Sequence, residues 1–225
     1  MITPYPPWTV EDRTEPGLWL ELVGANAANY ADRADELISF PGITSAWWGL
    51  NANPGREDLP RKIPEFSTLG IYEVVAAFSP PTVPGGTTGL HFRRTPRPGQ
   101  GVLTGTPTTG VLLVLISPRT AEGAGTLRDW ADFVHIRHIA EVAVPGYSMI
   151  TPYESADQSD PRFLHLYEMD SADPEATFAS MRPLVEQRLG PPGSDAFDSW
   201  AWHAELRIMY VNTFSRTGVI PPVSS

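Results

Sequence analysis

A Pro-Gly junction leading straight into an apolar run occurs twice in this chain, as Pro41-Gly42-Ile43 and as Pro145-Gly146-Tyr147, 104 positions apart. Proline cannot continue a helix and glycine permits a sharp exit, so each junction reads as a helix end followed at once by a strand. The flanking patterns agree. Before the first junction, Gly17 to Val23 alternates as a strand, with its leucines on one face and Trp19 and Glu21 on the other. Residues 26–40 then follow a helical period with Tyr30, Ala34, Leu37 and Ile38 inward, and Ile43–Asn51 and Thr68–Phe78 read as strands. Before the second junction, Val111–Ser117 (VLLVLIS) is a buried strand and a long amphipathic helix follows. After it come strands at Tyr147–Glu154 and Phe163–Met169. Asp173 then caps a helix with Pro174 in its first position, and Trp200–Phe214 is a last strand.

Strand, helix, strand, strand, helix, strand, stated twice, makes an α+β chain of two ferredoxin-like β-α-β-β-α-β units. In the first, SPPTVPGGTTG breaks the second helix before a short strand at Leu90–Thr95. One such unit leaves a sheet face bare, so the two are expected to face each other and close an intramolecular α+β barrel. The expected division is an N-terminal arm at 1–16, a first unit at 17–95, a linker at 96–110, a second unit at 111–214 and a tail at 215–225.

Composition narrows the function. A formal charge of −10 on 225 residues argues against nucleic acid and against an anionic membrane face, both of which select clustered Lys and Arg. No stretch reaches the length of a membrane span. The opening MITPYPPWTVEDRTEPG has neither a basic start nor an apolar run, so no secretory leader is expected. The absence of cysteine excludes disulfides and thiolate chemistry and fits a reducing cytoplasm.

Chemistry concentrates in TLRDWADFVHIRHIAEVAVPGY, residues 126–147. Thr126 and Asp129 resemble a capping box, and Trp130, Phe133, Val134, Ile136, Ile139, Ala140 and Ala143 make most of the surface apolar. Asp132, His135 and His138 are three apart and lie along one side of a regular helix. A carboxylate one turn before a histidine orients the ring and raises its proton affinity, so His135 with Asp132 reads as a general base. On Phe163–Met169, Phe163, His165, Tyr167 and Met169 share one face and Leu164, Leu166 and Glu168 the other. The leucine face suits helix packing, which would aim His165 and Tyr167 into the barrel, where Trp19 and Glu21 are also expected. On the last strand His203, Glu205 and Arg207 share a face, and Glu205 and Arg207 read as a surface ladder. A metal held by Asp132, His135, His138 and His165 lacks a carboxylate-rich strand to complete its shell, so none is expected. No glycine-rich strand-to-helix turn offers a flavin or nicotinamide site.

The run from Trp130 through His135 to Pro145-Gly146, with Pro161-Arg162-Phe163-Leu164-His165-Leu166-Tyr167-Glu168 downstream, resembles the dimeric α+β-barrel superfamily, in its EthD-like and antibiotic-biosynthesis-monooxygenase-like branches. The match covers 111–214 by motif and the first half by architecture. It departs at Arg137, where such proteins often carry proline. The resemblance implies a family of cofactor-free quinone-forming monooxygenases, polyketide cyclases, decarboxylases and dehydratases, with haem-binding branches. Aligned on Pro-Gly, His135 falls opposite Ala31, and the first helix has no histidine, so a reaction centre belongs to the second unit.

The expectation is a cofactor-independent enzyme acting on a hydrophobic aromatic or polyketide-like molecule in the barrel lumen. Its catalytic residues are His135, Asp132, His165 and Tyr167, with Trp19, Glu21, His138 and Phe163 against the substrate. A homodimer is compatible with the family. The alternatives are a non-catalytic small-molecule-binding barrel and a haem-binding relative.

Overall fold

The computed structural model describes residues 7–24 and 30–217. The start of the first helix at Asn26, the first six residues of the arm and the end of the tail from 218 lie outside these. The strands are β1 (Gly17–Val23), β2 (Ile43–Asn51), β3 (Thr68–Val74), β4 (Thr87–Arg94), β5 (Gln100–Gly101), β6 (Gly110–Ser117), β7 (Tyr147–Ser155), β8 (Phe163–Met169) and β9 (Arg207–Arg216). Their order is β4-β1-β3-β2-β9-β6-β8-β7, antiparallel throughout, and β4 pairs with β7 to close the ring. Each half therefore sets its fourth strand beside its first, then its third and second, as two ferredoxin-like units require. The seams between halves are short: Gly49–Asn51 against Phe214–Arg216, and Phe92–Arg94 against Tyr153–Ser155. Gly42 and Gly146, at φ +91° and +90°, make the two sharp exits into β2 and β7.

Helix α1 (Tyr30–Ile38) covers the first half, and no second helix stands between β3 and β4. The second half carries α2 (Ala124–Trp130), a π-helical segment (Ala131–His135) and α3 (Ile136–Glu141) as one continuous rod, then α4 (Pro174–Leu189) and α5 (Asp195–Ala201). Asp173 caps α4 as read, its carboxylate accepting the Ala176 N–H at 2.9 Å. The first rod begins earlier than expected. Thr126 lies inside its first turn and donates back to the Gly123 carbonyl at 3.0 Å, so the capping box does not form. Trp200 belongs to α5 and not to the last strand, which starts at Arg207.

The lumen is filled by side chains. Leu18, Leu20, Leu113, Leu115, Leu164 and Leu166, from both halves, belong to one buried cluster that includes no helix residue. Eight strands make a barrel just wide enough for such filling. The opposite strand faces pack under the helices: Trp19 and Tyr72 beneath α1, Leu112 and Tyr167 beneath the rod, α4 and α5. This reverses the expected orientation of β8. Both of its faces are buried, so alternation alone could not separate them. The leucines interdigitate across the lumen, and the polar aromatic face meets partners on the helices.

One mouth is plugged by the arm. Trp8 and Val10 are buried, and the arm pairs with the inter-unit segment through Val10 N–H to Thr106 C=O and Thr108 N–H to Trp8 C=O, each 2.7 Å. Beneath it, Arg13 reaches Glu168 and Glu73, lies 4.1 Å from the Trp8 ring centroid, and Thr108 donates to Glu168 at 2.7 Å. Phe66 closes the other end, stacked on Tyr210 and Phe214 at 4.7 and 5.2 Å.

Candidate active site

Because the second half keeps all its helices, a gap remains between them and the outer faces of β6, β8 and β9. It is a cavity of about 500 Å³, in the range of small-molecule sites. Its walls are mostly apolar and aromatic: Val114, Ile208, Phe178, Met181, Phe197 and Trp200 are among them. Three polar rings reach it, from His135, His165 and Tyr167. Leu59 and Asp58 arrive from the first half, on the loop between β2 and β3. Arg56 pins that loop to the second half, pairing with Glu175, donating to Asn212 at 3.1 Å and lying 4.7 Å from the Phe178 ring centroid.

The expected pairing of Asp132 with His135 does not form. Asp132 Oδ1 accepts from His165 Nε2 at 3.0 Å, and the two side chains are only 2% and 4% exposed. A carboxylate can only accept, so Nε2 carries the proton and Nδ1 is the basic nitrogen of neutral His165. The other oxygen, Oδ2, is 2.9 Å from Arg97 Nη1. The cause is the π-helical segment. Its i→i+5 hydrogen bonds widen the turn and spread positions three apart further round the axis. Asp132 is thereby turned onto β8 and His135 towards α5.

His135 is held by α5. Its Nδ1–H donates to the Trp200 carbonyl at 2.9 Å, and the Trp200 indole N–H donates to the His135 carbonyl at 3.1 Å. The imidazole is stacked on Trp200 and tilted against Trp130, each at 5.1 Å. Since a carbonyl cannot donate, Nδ1 holds the hydrogen and Nε2 is a free acceptor. Burial pulls the ring's pKa down to about 4, opposed by the Trp200 carbonyl and reinforced by His165 and His138. His135 is therefore a neutral acceptor near pH 7. Burial, and secondarily the charge of Asp132, push the Tyr167 phenol up, so it stays a donor.

Four expected substrate contacts lie elsewhere. Phe163 packs with Leu127 and Ile116 under α2. His138 faces Glu141, 3.5 Å away. Trp19 and Glu21 point away from the lumen in the first half, where Glu21 pairs with Arg33 of α1 at 2.9 Å and accepts from Trp19 at 3.3 Å. The outward turn of β1 follows the same rule as β8, leucines inward. Glu205 accepts from the Arg119 and Thr120 N–H groups, and Arg207 pairs with Asp160, both at the surface. Trp200, Trp130 and Arg97 were not expected at the site. For Trp200 a signal existed: Ser194 followed by Asp195 and Asp198 is a helix start, and Ser194 caps α5. Among the described residues, no three His, Asp or Glu side chains are placed to share a metal ion, and no helix is long and apolar enough to cross a membrane.

No protein-family model matches the chain, and no curated protein does. Among solved structures, an anthrone oxidase-like protein superposes with a TM-score of 0.50 at 13% identity, over 94% of each chain. A candidate monooxygenase from Fusobacterium nucleatum subsp. nucleatum ATCC 25586 gives 0.44 at 10% identity, over 90% of this chain and 96% of that one. Another, from Lactobacillus acidophilus NCFM, gives 0.48 at 10% identity, over 90% and 94%. At such identities the likeness is one of fold alone, an α+β barrel.

Proposed function

We propose that the cavity between the sheet and the helices of the second half is the active site of a cofactor-independent enzyme acting on a planar aromatic or polyketide-like molecule. The observation that carries this reading is the Asp132–His165 pair, 3.0 Å apart and almost wholly buried, whose His165 lines a mostly apolar and aromatic cavity. Asp132 fixes the tautomer of His165 and stabilises the imidazolium that forms when Nδ1 takes a proton. Neutral His135 accepts a hydrogen bond from a substrate hydroxyl through Nε2, and the Tyr167 phenol donates to the developing oxyanion. The aromatic walls desolvate the anion and orient a flat ring system. This assigns the base to His165, with His135 as an orienting group.

Proton removal from an acidic C–H or O–H is the step that cyclisation, dehydration, decarboxylation and cofactor-free oxygenation of such molecules share. The fold likeness to an anthrone oxidase-like protein makes anthrone a rational probe. On anthrone the resulting anion would pass its electrons to dioxygen, yielding the quinone and water. The test is turnover of anthrone and related fused-ring phenols by wild type, His165→Gln and Asp132→Asn. The reading expects about a 10²–10⁴-fold fall in kcat for His165→Gln, with binding of the aromatic retained. Equal turnover in all three proteins would remove the Asp132–His165 pair from the chemistry, and binding without reaction in any of them would make the barrel a carrier.

A further inference from the structure

We infer that Arg97, from the segment joining the two halves, is a positioning residue for the proton-transfer pair, limiting how strongly the Asp132 carboxylate can draw a proton onto His165. The inference rests on the proposed role of that pair.

Three contacts bring the joining segment onto the π-helical turn. Arg97 Nη1 lies 2.9 Å from Asp132 Oδ2 and Nη2 lies 2.6 Å from Asp129 Oδ1. The Gln100 side-chain amide donates to the Asp132 backbone carbonyl. The guanidinium also sits 4.6 Å from the centroid of the exposed Phe133 ring. Arg97 is itself largely buried, its side chain 15% exposed.

The electrostatic consequence follows from sharing. Asp132 is a buried carboxylate with two oxygens and two donors, one to each. Arg97 is a permanent cation, so the pair Arg97–Asp132 is close to neutral as seen from the imidazole. Without Arg97, a buried anion would face His165 alone, and the favourable way to neutralise it is to protonate the ring. A protonated His165 cannot act as a base. The other titratable groups near the pair are Tyr167 on the same strand, Asp129 one turn before Asp132 and already held by Arg97, and His135, which feels His165. Asp58 and Arg182 line the same cavity, and Arg182 is paired with Glu186 at 2.8 Å. The geometry thus gives the joining segment a part in the chemistry as well as in connecting the halves.

The chain has five histidines, so their ring C–H signals can be followed by NMR and assigned by single substitution. In Arg97→Gln, the His165 titration midpoint is expected to move up by about one pH unit relative to wild type. Arg97→Lys, which keeps the charge, restores most of the wild-type midpoint. Asp129→Asn, which removes an exposed anion from the outer half of the clamp and leaves Arg97 to Asp132, does not raise the midpoint, so a rise there as well would point to loosened packing. If an aromatic substrate is turned over, the acid limb of its pH–rate profile moves with the midpoint. A midpoint equal in wild type, Arg97→Gln and Arg97→Lys would overturn the inference, whatever the activity. A shifted midpoint in a protein that turns over nothing would uphold the coupling and refute the enzymatic reading.

Discussion

The imidazole of His135 lies flat on the indole of Trp200, ring centroids 5.1 Å apart and planes within 8°, and each residue donates to the other's backbone carbonyl. This reciprocal pair fastens the short helix α5 to the π-helical turn and forms one wall of the cavity. Neither helix could supply it alone: α5 has seven residues and takes its position from contacts it makes.

Trp200→Ala therefore removes a buried indole and the hydrogen bond it donates to the His135 carbonyl, while the backbone carbonyl that accepts from His135 Nδ1–H remains. We expect a loss of about 3–5 kcal/mol in unfolding free energy, the usual cost of truncating a buried aromatic. We also expect the His135 titration to return towards its ordinary range as water reaches the ring. Chemical denaturation and histidine NMR read the two effects separately.

His135 also makes stability depend on pH. Its folded pKa, about 4, lies below the unfolded histidine value. Between these the unfolded chain binds a proton that the folded chain refuses, so stability falls as pH drops through that window and is undiminished above it. The bound on the loss is on the order of 3 kcal/mol, reduced because the ring is partly open to the cavity. Denaturation midpoints of wild type and His135→Phe, compared across the window, isolate the term: the variant lacks the acid-side decline.

Arg13 holds Glu168 and Glu73 beneath the arm. Removing it in Arg13→Ala leaves two buried carboxylates facing each other, expected to cost about 3–5 kcal/mol. Burial already raises both carboxyls against the pull of Arg13, so the folded state holds their protons more tightly than the unfolded chain does. That contribution to stability is present in acid and lost as pH rises. The variant should thus be closer to wild type at about pH 5 than at about pH 8. Thermal unfolding at the two pH values checks it.

Leu59 is a first-half residue at the second half's cavity. Leu59→Trp fills space there without touching the Asp132–His165 pair. Binding of a fused-ring aromatic is expected to weaken about tenfold or more, with the unfolding transition unchanged to within about 0.5 kcal/mol. Calorimetric titration beside a melting curve tests this.

The barrel was legible because its determinants are local. Pro-Gly exits, the Asp173-Pro174 start and the runs of alternating apolar residues each act within a few positions, and together they set element order. The site was only half legible. His165 and Tyr167 stood out as polar groups on an apolar strand, but β8 is buried on both sides, so no pattern within it says which face meets the helices. The Asp132–His135 pairing assumed a regular α-helix, and the π-helical turn takes its shape from contacts with β8, α5 and the joining segment. Arg97 lies 35 residues from Asp132 and Leu59 sits in the other half, separations at which sequence period carries no information.

The central claim is that the working cavity lies outside the barrel, under the helices of the second half. It is tested most directly by titrating anthrone into the protein without oxygen and following the five histidine ring signals. The account predicts shifts at His135 and His165 and none at His91, which lies on β4 of the first half. Shifts at His91 with His135 and His165 unmoved, or perturbation confined to the lumen leucines Leu18 and Leu164, would contradict it.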